Sequence, residues 1–218
     1  MRTVQFNEGT SMHTTLARFA AVLFGLWLGT APLVMAADPV VQDKAPATAI
    51  FAGGCFWCME PPFDALAGVT ATTSGFTGGQ KVNPSYKEVS SGGTGHVEAI
   101  QIGYDPAQIS YQQLLDVYWR NIDPLDDGGQ FCDRGHEYLS AIFYQNDEQK
   151  KLAEQSKTTV EKRLGHSVAT AIRPAAPFYA AEDYHQDYYR KNPVRYKYYR
   201  YSCGRDQRLE ELWGKQEK

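Results

Sequence analysis

The chain has 218 residues, of which 43% are hydrophobic and 22% charged, which suits one globular domain with a sizeable core. Its net charge of −3 at pH 7 argues against a nucleic-acid partner held by bulk electrostatics. The 14 Tyr and 10 Phe residues are many for this length, so we expect them to form a core, a pocket or both.

The first 36 residues have the pattern of an export signal. Arg18 precedes an apolar run, Phe19–Leu28, that is too short to span a bilayer comfortably. Val34-Met35-Ala36 places small or tolerated residues at the −3 and −1 positions of a cleavage site. We therefore predict a signal peptide at 1–36 and an exported, periplasmic mature protein. The alternative is an uncleaved membrane anchor.

The N-terminal segment has two further features. Met12 makes a more typical start for a signal peptide than Met1. Residues 37–46 indicate a linker, because a proline stands near each end and the hydrophobic residues follow neither a helical nor a strand period. Export places the chain in an oxidising compartment, where disulfides can persist. All of its cysteines lie in the predicted domain, 47–203: Cys55, Cys58, Cys132 and Cys203.

The domain is organised around a Cys-x-x-Cys pair, Cys55 and Cys58. A predicted strand, Ala47–Phe51, runs into a Gly-Gly turn, and a helical pattern follows as far as Leu66. This arrangement places Cys55 near free backbone N–H groups and the positive end of a helix dipole, which favour the reactive thiolate. Pro61-Pro62 leaves open whether one bent helix or two separate turns form here.

Two other interpretations compete with a reactive thiol pair: Cys55 and Cys58 form a structural disulfide, or they are half of a zinc site. No second Cys-x-x-Cys or paired His completes a set of four ligands. The Asp- and Gly-rich loop at 123–135 does not have the spacing of an EF-hand. We therefore predict no metal site.

A second strand is predicted at Val69–Phe76, followed by irregular loops at 78–86 and 89–95. The next strand, 96–104, places Glu98 at the end of an apolar stripe. Such a carboxylate is either tipped into water or buried with a raised pKa, in which case it can hold a proton near neutral pH.

The second half of the chain repeats the alternation of helix and strand. Ser110 and Gln113 form a capping box that begins a helix, and Pro124 ends it. A strand, a long polar helix closed by Gly165 and a short strand are then predicted at 138–144, 146–164 and 168–173. The order β-α-β-β-α-β predicts an α+β fold with a ferredoxin-like, split βαβ core and helices on one face of the sheet.

The C-terminal stretch 188–201 interleaves aromatic and basic residues. This pattern occurs in proteins that bind single-stranded nucleic acid, but an exported acidic protein disfavours that role. We expect instead a tail that wraps the domain through its Tyr rings, followed by a helical segment at 204–218.

The motifs in this chain resemble the type A peptide methionine sulfoxide reductases. The resemblance begins with Gly-Gly-Cys-Phe-Trp-Cys-Met-Glu at 53–60. Further matching motifs follow in order, and together they cover roughly 47–203: 77–86, 91–99, 104–106, 130–135, 140–143 and 181–188. The resemblance implies reduction of the S epimer of methionine sulfoxide, free or in oxidised proteins, with no bound cofactor and a thioredoxin-like electron donor.

The resemblance also implies roles by position. Cys55 matches the nucleophile and Glu98 the acid that protonates the sulfoxide oxygen. Substrate-binding positions are also matched: Tyr86 and Tyr138 for the hydroxyls that bind the oxygen, Asp133 for a carboxylate, and Phe56 and Trp57 for the apolar wall around the S-methyl group. Leu139 departs from the Arg that many members carry.

The order of thiol exchange stays open at this point. Cys58 matches the resolving thiol of members with Cys-Phe-Trp-Cys and is favoured as the first to react with oxidised Cys55. Cys203 is then a candidate relay toward solvent. Cys132 has no assigned role, and a Cys132–Cys203 disulfide is an alternative that sequence cannot test. Two other functions compete with the reductase: a general exported thiol–disulfide oxidoreductase and a non-catalytic binding module.

Overall fold

A computed structural model describes residues 46–215. The predicted signal peptide, and with it the anchor alternative, lies outside the described residues, as does the predicted linker up to 45. Within the described part of the chain, no helix has both the length and the apolar character that a bilayer span requires.

The fold is built on one six-stranded mixed sheet with the order β7-β6-β1-β3-β2-β8 and a separate β4-β5 hairpin. The strands are β1 (Ala47–Gly53), β2 (Val69–Thr77), β3 (Val97–Tyr104), β4 (Gly129–Gln130), β5 (Asp133–Arg134), β6 (Ser140–Tyr144), β7 (Ala171–Pro174) and β8 (Tyr179–Ala180). The helices are α1 (Phe56–Asp64), α2 (Tyr86–Ser90), α3 (Tyr111–Arg120), α4 (Asp147–Leu164), α5 (Tyr188–Lys191), α6 (Pro193–Ser202) and α7 (Arg205–Trp213), with one 3-10 turn (His136–Tyr138).

The four central strands confirm the predicted ferredoxin-like core. Their order is β6-β1-β3-β2, and each neighbouring pair is antiparallel. Two later strands extend this core at its edges: β7 pairs parallel to β6, and β8 pairs antiparallel to β2.

The main core lies on the sheet face that α1 and α3 cover. Phe51 of β1 contacts Phe63 of α1 and Tyr118 of α3, with ring centroids 5.8 and 4.9 Å apart. The Tyr118 hydroxyl also donates to the carbonyl of Ala52 at 2.8 Å, so the buried phenol keeps a polar partner. The predicted capping box of α3 is confirmed, because Ser110 accepts from the backbone of Gln113. These contacts fix the end of β1, from which the site projects.

Pro61 and Pro62 lie inside the single helix α1, which ends at Asp64. The structure thereby decides between the two arrangements that the sequence left open. The predicted helix is two residues too long, because the last residues before Gly68 form turns.

Three other predicted boundaries are wrong. Part of the loop at 89–95 is helical, because Ser85 forms a capping box with Glu88 and begins α2. Tyr138 ends the 3-10 turn and does not belong to the strand, which begins at Ser140. The strand predicted at 168–173 is displaced, since β7 runs from Ala171 to Pro174 in register with β6. The limits of β6 and β7 depend on strand partners elsewhere in the chain, and α2 is a single short turn.

Two acidic side chains of the loop at 123–135 are paired with arginines. Asp126 accepts from Arg134 at 2.5 Å, and Asp123 from Arg208 at 2.7 Å. Leu139 stands at the position where many family members carry Arg. It packs against the apolar cluster on the other face of the sheet, which includes Ala52 and Phe143.

Candidate active site

Cys55 lies where the central strand β1 gives way to α1. Gly54 makes the turn with a φ of 77°, and a Cβ there would collide with Gln130, so the turn requires glycine. Cys55 is the N-cap residue of α1 and is 6% exposed, whereas Cys58, one turn on, is 1% exposed. Both are free thiols, and the two side chains hydrogen-bond to each other.

Glu98 is the buried acid of this site. It lies near the start of β3, is 2% exposed, and accepts a hydrogen bond from the backbone N–H of Phe56 at 3.0 Å. Burial raises the pKa of Glu98 to about 8, and the negative charges of Asp133 and Glu137 act in the same direction. Glu98 therefore holds a proton at neutral pH, and the structure decides for the buried one of the two alternatives that the sequence left open.

Three polar side chains from other elements lie close to Cys55: Tyr86, Tyr138 and Asp133. Tyr86 opens α2 and Tyr138 ends the 3-10 turn, and the two hydroxyls are near enough to affect each other's pKa. Burial and the charge of Glu98 raise the pKa of both tyrosines, that of Tyr86 to about 12, so both hydroxyls remain donors at neutral pH. Asp133 of β5 is near enough to act electrostatically on Cys55.

The prediction that the helix end favours the Cys55 thiolate is wrong, because other groups of the site outweigh the helix end. Burial raises the pKa of Cys55, and the hydrogen bond with Cys58 and the charge of Glu98 raise it further. One N–H of the helix end, that of Phe56, is already bound to Glu98. The hydrogen bond from Cys55 lowers the pKa of Cys58 to about 6 against the effect of burial, and the positive charge of Arg205 acts with it.

Phe56 and Trp57, the residues of the predicted apolar wall, directly follow Cys55 in α1 and pack against other aromatic rings. Phe56 is buried against Phe76, with ring centroids 5.9 Å apart. Trp57 is half-buried and stacks on Tyr188 at 3.8 Å with an interplanar angle of 7°. Its indole N–H donates to Nδ1 of His185 at 3.0 Å, and together these contacts fix the plane of the indole ring.

The C-terminal stretch packs against this wall, as predicted for a tail that wraps the domain. Besides the stack of Tyr188 on Trp57, the edge of Tyr199 meets the same indole ring at 5.7 Å. The Tyr199 hydroxyl donates to Oδ2 of Asp133 at 2.5 Å. The sequence assigned no role to Tyr199 or His185. The signal that could have indicated one is the high density of aromatic residues in the C-terminal stretch.

Arg205 is a buried cation that sequence reasoning missed. It is 2% exposed, and its guanidinium donates to the carbonyls of Asn121 at 2.6 Å and Gly53 at 3.3 Å. It also contacts the sulfur of Met59 at 3.1 Å and lies 4.4 Å from the ring centroid of Phe131. None of these four partners is an anion, so the positive charge acts at longer range on Cys58 and Asp133.

Cys132 and Cys203 form a disulfide with their Cα atoms 4.8 Å apart. The alternative pairing that sequence could not test is therefore present. Over residues 46–215, one group of potential metal ligands converges, comprising Cys132, Asp133 and Cys203 within 4.8 Å. The disulfide occupies both sulfurs, so this group offers no thiolate to a metal.

Comparison with known proteins agrees with the site. A family model described as "Peptide methionine sulfoxide reductase" matches residues 47–217. The chain is 54% identical to the peptide methionine sulfoxide reductase MsrA of Bacillus licheniformis over 173 residues, which cover 77% of this chain and 93% of the relative. It is 46% identical to MsrA 2 of Caulobacter vibrioides over 204 residues, 93% of this chain and 100% of the relative.

Solved structures give the same result. Reduced Mxr1 from Saccharomyces cerevisiae superposes with a TM-score of 0.66 at 31% identity, over 68% of this chain and 87% of that chain. Methionine sulfoxide reductase A of Corynebacterium diphtheriae superposes with a TM-score of 0.62 at 30% identity, over 70% of this chain and 78% of that chain. The chain is an oxidoreductase that reduces methionine sulfoxide, and it belongs to the type A peptide methionine sulfoxide reductase family.

Proposed function

We propose that the enzyme reduces the S epimer of methionine sulfoxide, free and in oxidised proteins, with Cys55 as nucleophile and Glu98 as general acid. One observation carries the assignment of roles. A buried carboxyl that holds its proton at neutral pH stands beside a buried thiol and two tyrosine hydroxyls. A sulfoxide has one polar oxygen and one methyl group, so it needs this combination of donors and apolar wall.

The proton balance of Glu98 and Cys55 supports the first step. The charge of ionised Glu98 raises the pKa of Cys55, so this opposition disappears once Glu98 is protonated. The protonated acid and the thiolate therefore favour each other, and that state is the reactive one. In it, Tyr86 and Tyr138 donate to the sulfoxide oxygen and hold the sulfur toward Cys55.

The first step then balances as follows. The Cys55 thiolate attacks the sulfoxide sulfur and forms an S–S bond, Glu98 gives its proton to the oxygen, and the S–O bond breaks with release of hydroxide. The hydroxide then adds to the sulfur of Cys55, and the S–S bond breaks with its electron pair going to the methionine sulfur. The products are methionine, a sulfenic acid on Cys55 and an ionised Glu98. The sulfur of methionine is reduced by two electrons, and Cys55 is oxidised by two.

Cys58 is the proposed resolving thiol. Its lowered pKa makes it a thiolate near neutral pH, and its side chain contacts Cys55. Attack on the sulfenic sulfur forms the Cys55–Cys58 disulfide and releases water, with the proton supplied by the site or solvent. A thioredoxin-like donor then returns two electrons. A relay through Cys203 would first require the Cys132–Cys203 disulfide to open.

A stoichiometric assay tests this function. Fully reduced wild-type enzyme, mixed with methionine-S-sulfoxide and no reductant, should release about one methionine per chain, because the catalytic thiols supply two electrons. Methionine-R-sulfoxide should give none. Absence of methionine from the S epimer would overturn the proposal. A general thiol–disulfide oxidoreductase is less favoured, because it would leave the buried acid Glu98 and the hydroxyls of Tyr86 and Tyr138 without a role.

Arg205 is expected to set the rate of the resolving step through its charge. Replacing it with Met removes a positive charge that lowers the pKa of Cys58. Disulfide formation at pH 7 should then slow about twofold for the first unit by which that pKa rises and approach a tenfold loss for each further unit, as the thiolate fraction falls. The loss should shrink toward pH 9, where Cys58 ionises without help.

Rapid-quench thiol counting between pH 6 and 9 measures this effect. Arg205→Lys should restore most of the rate because it keeps the charge. Arg208→Met removes a more exposed arginine from the same helix and should leave the rate unchanged. A pH-independent loss in Arg205→Met would assign the residue a packing role only.

Localisation is proposed on sequence grounds. Cleavage after Ala36 would release a periplasmic chain that begins at Ala37, so its donor would be a periplasmic protein. N-terminal sequencing of the exported protein tests this, and a mature chain that begins before residue 30 would contradict it.

A further inference from the structure

We propose that Tyr199 is a further residue of the sulfoxide site, and that the Cys132–Cys203 disulfide is a fixed tie that holds it there and carries no electrons in turnover. This inference rests on the proposed function, since it adds a group and a constraint to the same site. It concerns the Tyr-rich stretch 188–201 and the pair Cys132 and Cys203, neither of which takes part in the proposed reaction.

Tyr199 binds a site carboxylate and lies close to the reacting sulfur. Its hydroxyl donates to Oδ2 of Asp133 at 2.5 Å and is near enough to Cys55 for the charge of that thiol to act on it. Its ring edge packs on the indole of Trp57. Burial and the nearby negative charges raise the pKa of Tyr199, so the hydroxyl stays protonated. The hydroxyl has one proton, which Asp133 accepts, so it can donate to a Cys55 thiolate once it turns from Asp133, as a third hydroxyl beside Tyr86 and Tyr138.

The disulfide lies next to both partners of this contact. Cys132 directly precedes Asp133 in the β4–β5 hairpin. Cys203 follows Tyr199 by one helical turn, and its backbone N–H donates to the Tyr199 carbonyl at 3.0 Å. The covalent bond and the Tyr199–Asp133 hydrogen bond thus join the same hairpin to the same helix, α6.

Helix α6 depends on such links because it has little apolar anchorage. No residue between Pro193 and Ser202 is fully buried, and Tyr198 and Tyr201 are 73% and 84% exposed. An element with so few buried contacts opens at low free-energy cost. A covalent link between Cys132 and Cys203 lowers the number of open states and so favours the seated position of Tyr199.

The reaction balances without the second cysteine pair. One sulfoxide and two thiols give one sulfide, one disulfide and one water, and Cys55 and Cys58 are both present as free thiols. The Cys132–Cys203 pair is already oxidised, so it has no electrons to give. Cys132 is exposed, and an oxidising compartment would preserve a surface disulfide of this kind.

A mutant cycle tests the link between the disulfide and Tyr199. The single-turnover rate of methionine release at saturating sulfoxide is measured for Tyr199→Phe, for Cys132→Ser/Cys203→Ser, and for the triple variant. Tyr199→Phe should slow the reaction about tenfold, the cost of losing a hydrogen bond to a charged group. The cysteine variant should lose a similar factor, and the triple variant should be at most about twofold slower than Tyr199→Phe, because coupled effects do not add.

The matched control is Tyr198→Phe, which removes an exposed hydroxyl from the same helix and should leave the rate unchanged. A wild-type rate in Tyr199→Phe would overturn the role of Tyr199, and multiplied losses in the triple variant would overturn the link. Tyr199→Phe keeps the disulfide, so it remains decisive even if the cysteine variant does not fold. A wild-type enzyme that releases no methionine would refute the proposed function itself.

Peptide mapping by mass spectrometry after one turnover tests the second half of the proposal. The Cys55–Cys58 disulfide should appear, and the Cys132–Cys203 peptide should persist in its starting amount. A peptide that links Cys203 to Cys55 or Cys58 would show that the pair exchanges in turnover, and would overturn the tie in favour of a relay.

Discussion

Cys55→Ser is expected to abolish methionine release, by at least about a thousandfold, because removal of a nucleophile leaves only the contribution of binding. Cys58→Ser should behave differently. It should still release about one methionine per chain in a single turnover, because the sulfenic acid forms on Cys55. Its multiple turnover with a thioredoxin-like donor should collapse, since no disulfide forms for the donor to reduce.

Comparing the two variants is informative because pKa and position favour different thiols as the nucleophile. Cys58 has the lower pKa of the two. Position favours Cys55, because this thiol acts electrostatically on the hydroxyls of Tyr86 and Tyr138, whereas Asp133 acts on both thiols.

Release of methionine in a single turnover and trapping of a sulfenic acid distinguish the two assignments. Cys58→Ser should give a stable sulfenic acid on Cys55 that mass spectrometry detects. If Cys55→Ser kept single-turnover release and Cys58→Ser lost it, the roles would be reversed.

Glu98→Gln should slow sulfenic-acid formation by about 10²- to 10³-fold, within the range of general acid catalysis. The amide keeps the shape of the side chain but cannot give up a proton, so KM should change little while the rate falls. In the wild type the rate of sulfenic-acid formation should fall as pH rises through about 8, where Glu98 loses its proton. The variant should lack that decline.

The same raised pKa predicts an effect on stability. Between pH 4.5 and about 8, folded Glu98 holds a proton that the unfolded chain has released. The free energy of unfolding therefore decreases as pH rises through this window. Glu98→Gln removes this dependence, so its melting temperature should exceed that of the wild type at pH 8.

Glu60→Gln is the matched control for both measurements. Glu60 is also buried, and burial raises its pKa to about 7, but its polar contacts are Ser74 and Asp187. It should share the gain in stability and keep the rate of methionine release. An equal loss of rate in Glu60→Gln, or a wild-type rate in Glu98→Gln, would contradict the acid role of Glu98.

The elements that the sequence predicted well have their signals within a few residues. The Ser110–Gln113 box begins α3, the Gly-Gly turn ends β1, and the alternation around Glu98 marks β3. The wrong boundaries are those of α2, β6 and β7. The limits of β6 and β7 depend on pairing with distant strands, and α2 is a single short turn with no apolar period of its own.

By itself, the sequence determined the α+β order of elements, the Cys-x-x-Cys pair, the place of Glu98 on its strand and the family motifs, because each is a local pattern. The tertiary structure alone decided the burial of Glu98, the protonation of the cysteine pair and the contacts of the tail. Cys55 and Glu98 are 43 positions apart by number, Tyr199 reaches Asp133 across 66 residues, and Arg205 reaches Gly53 across 152. Burial and charge at such separations depend on chain packing, and no window of neighbouring residues records them.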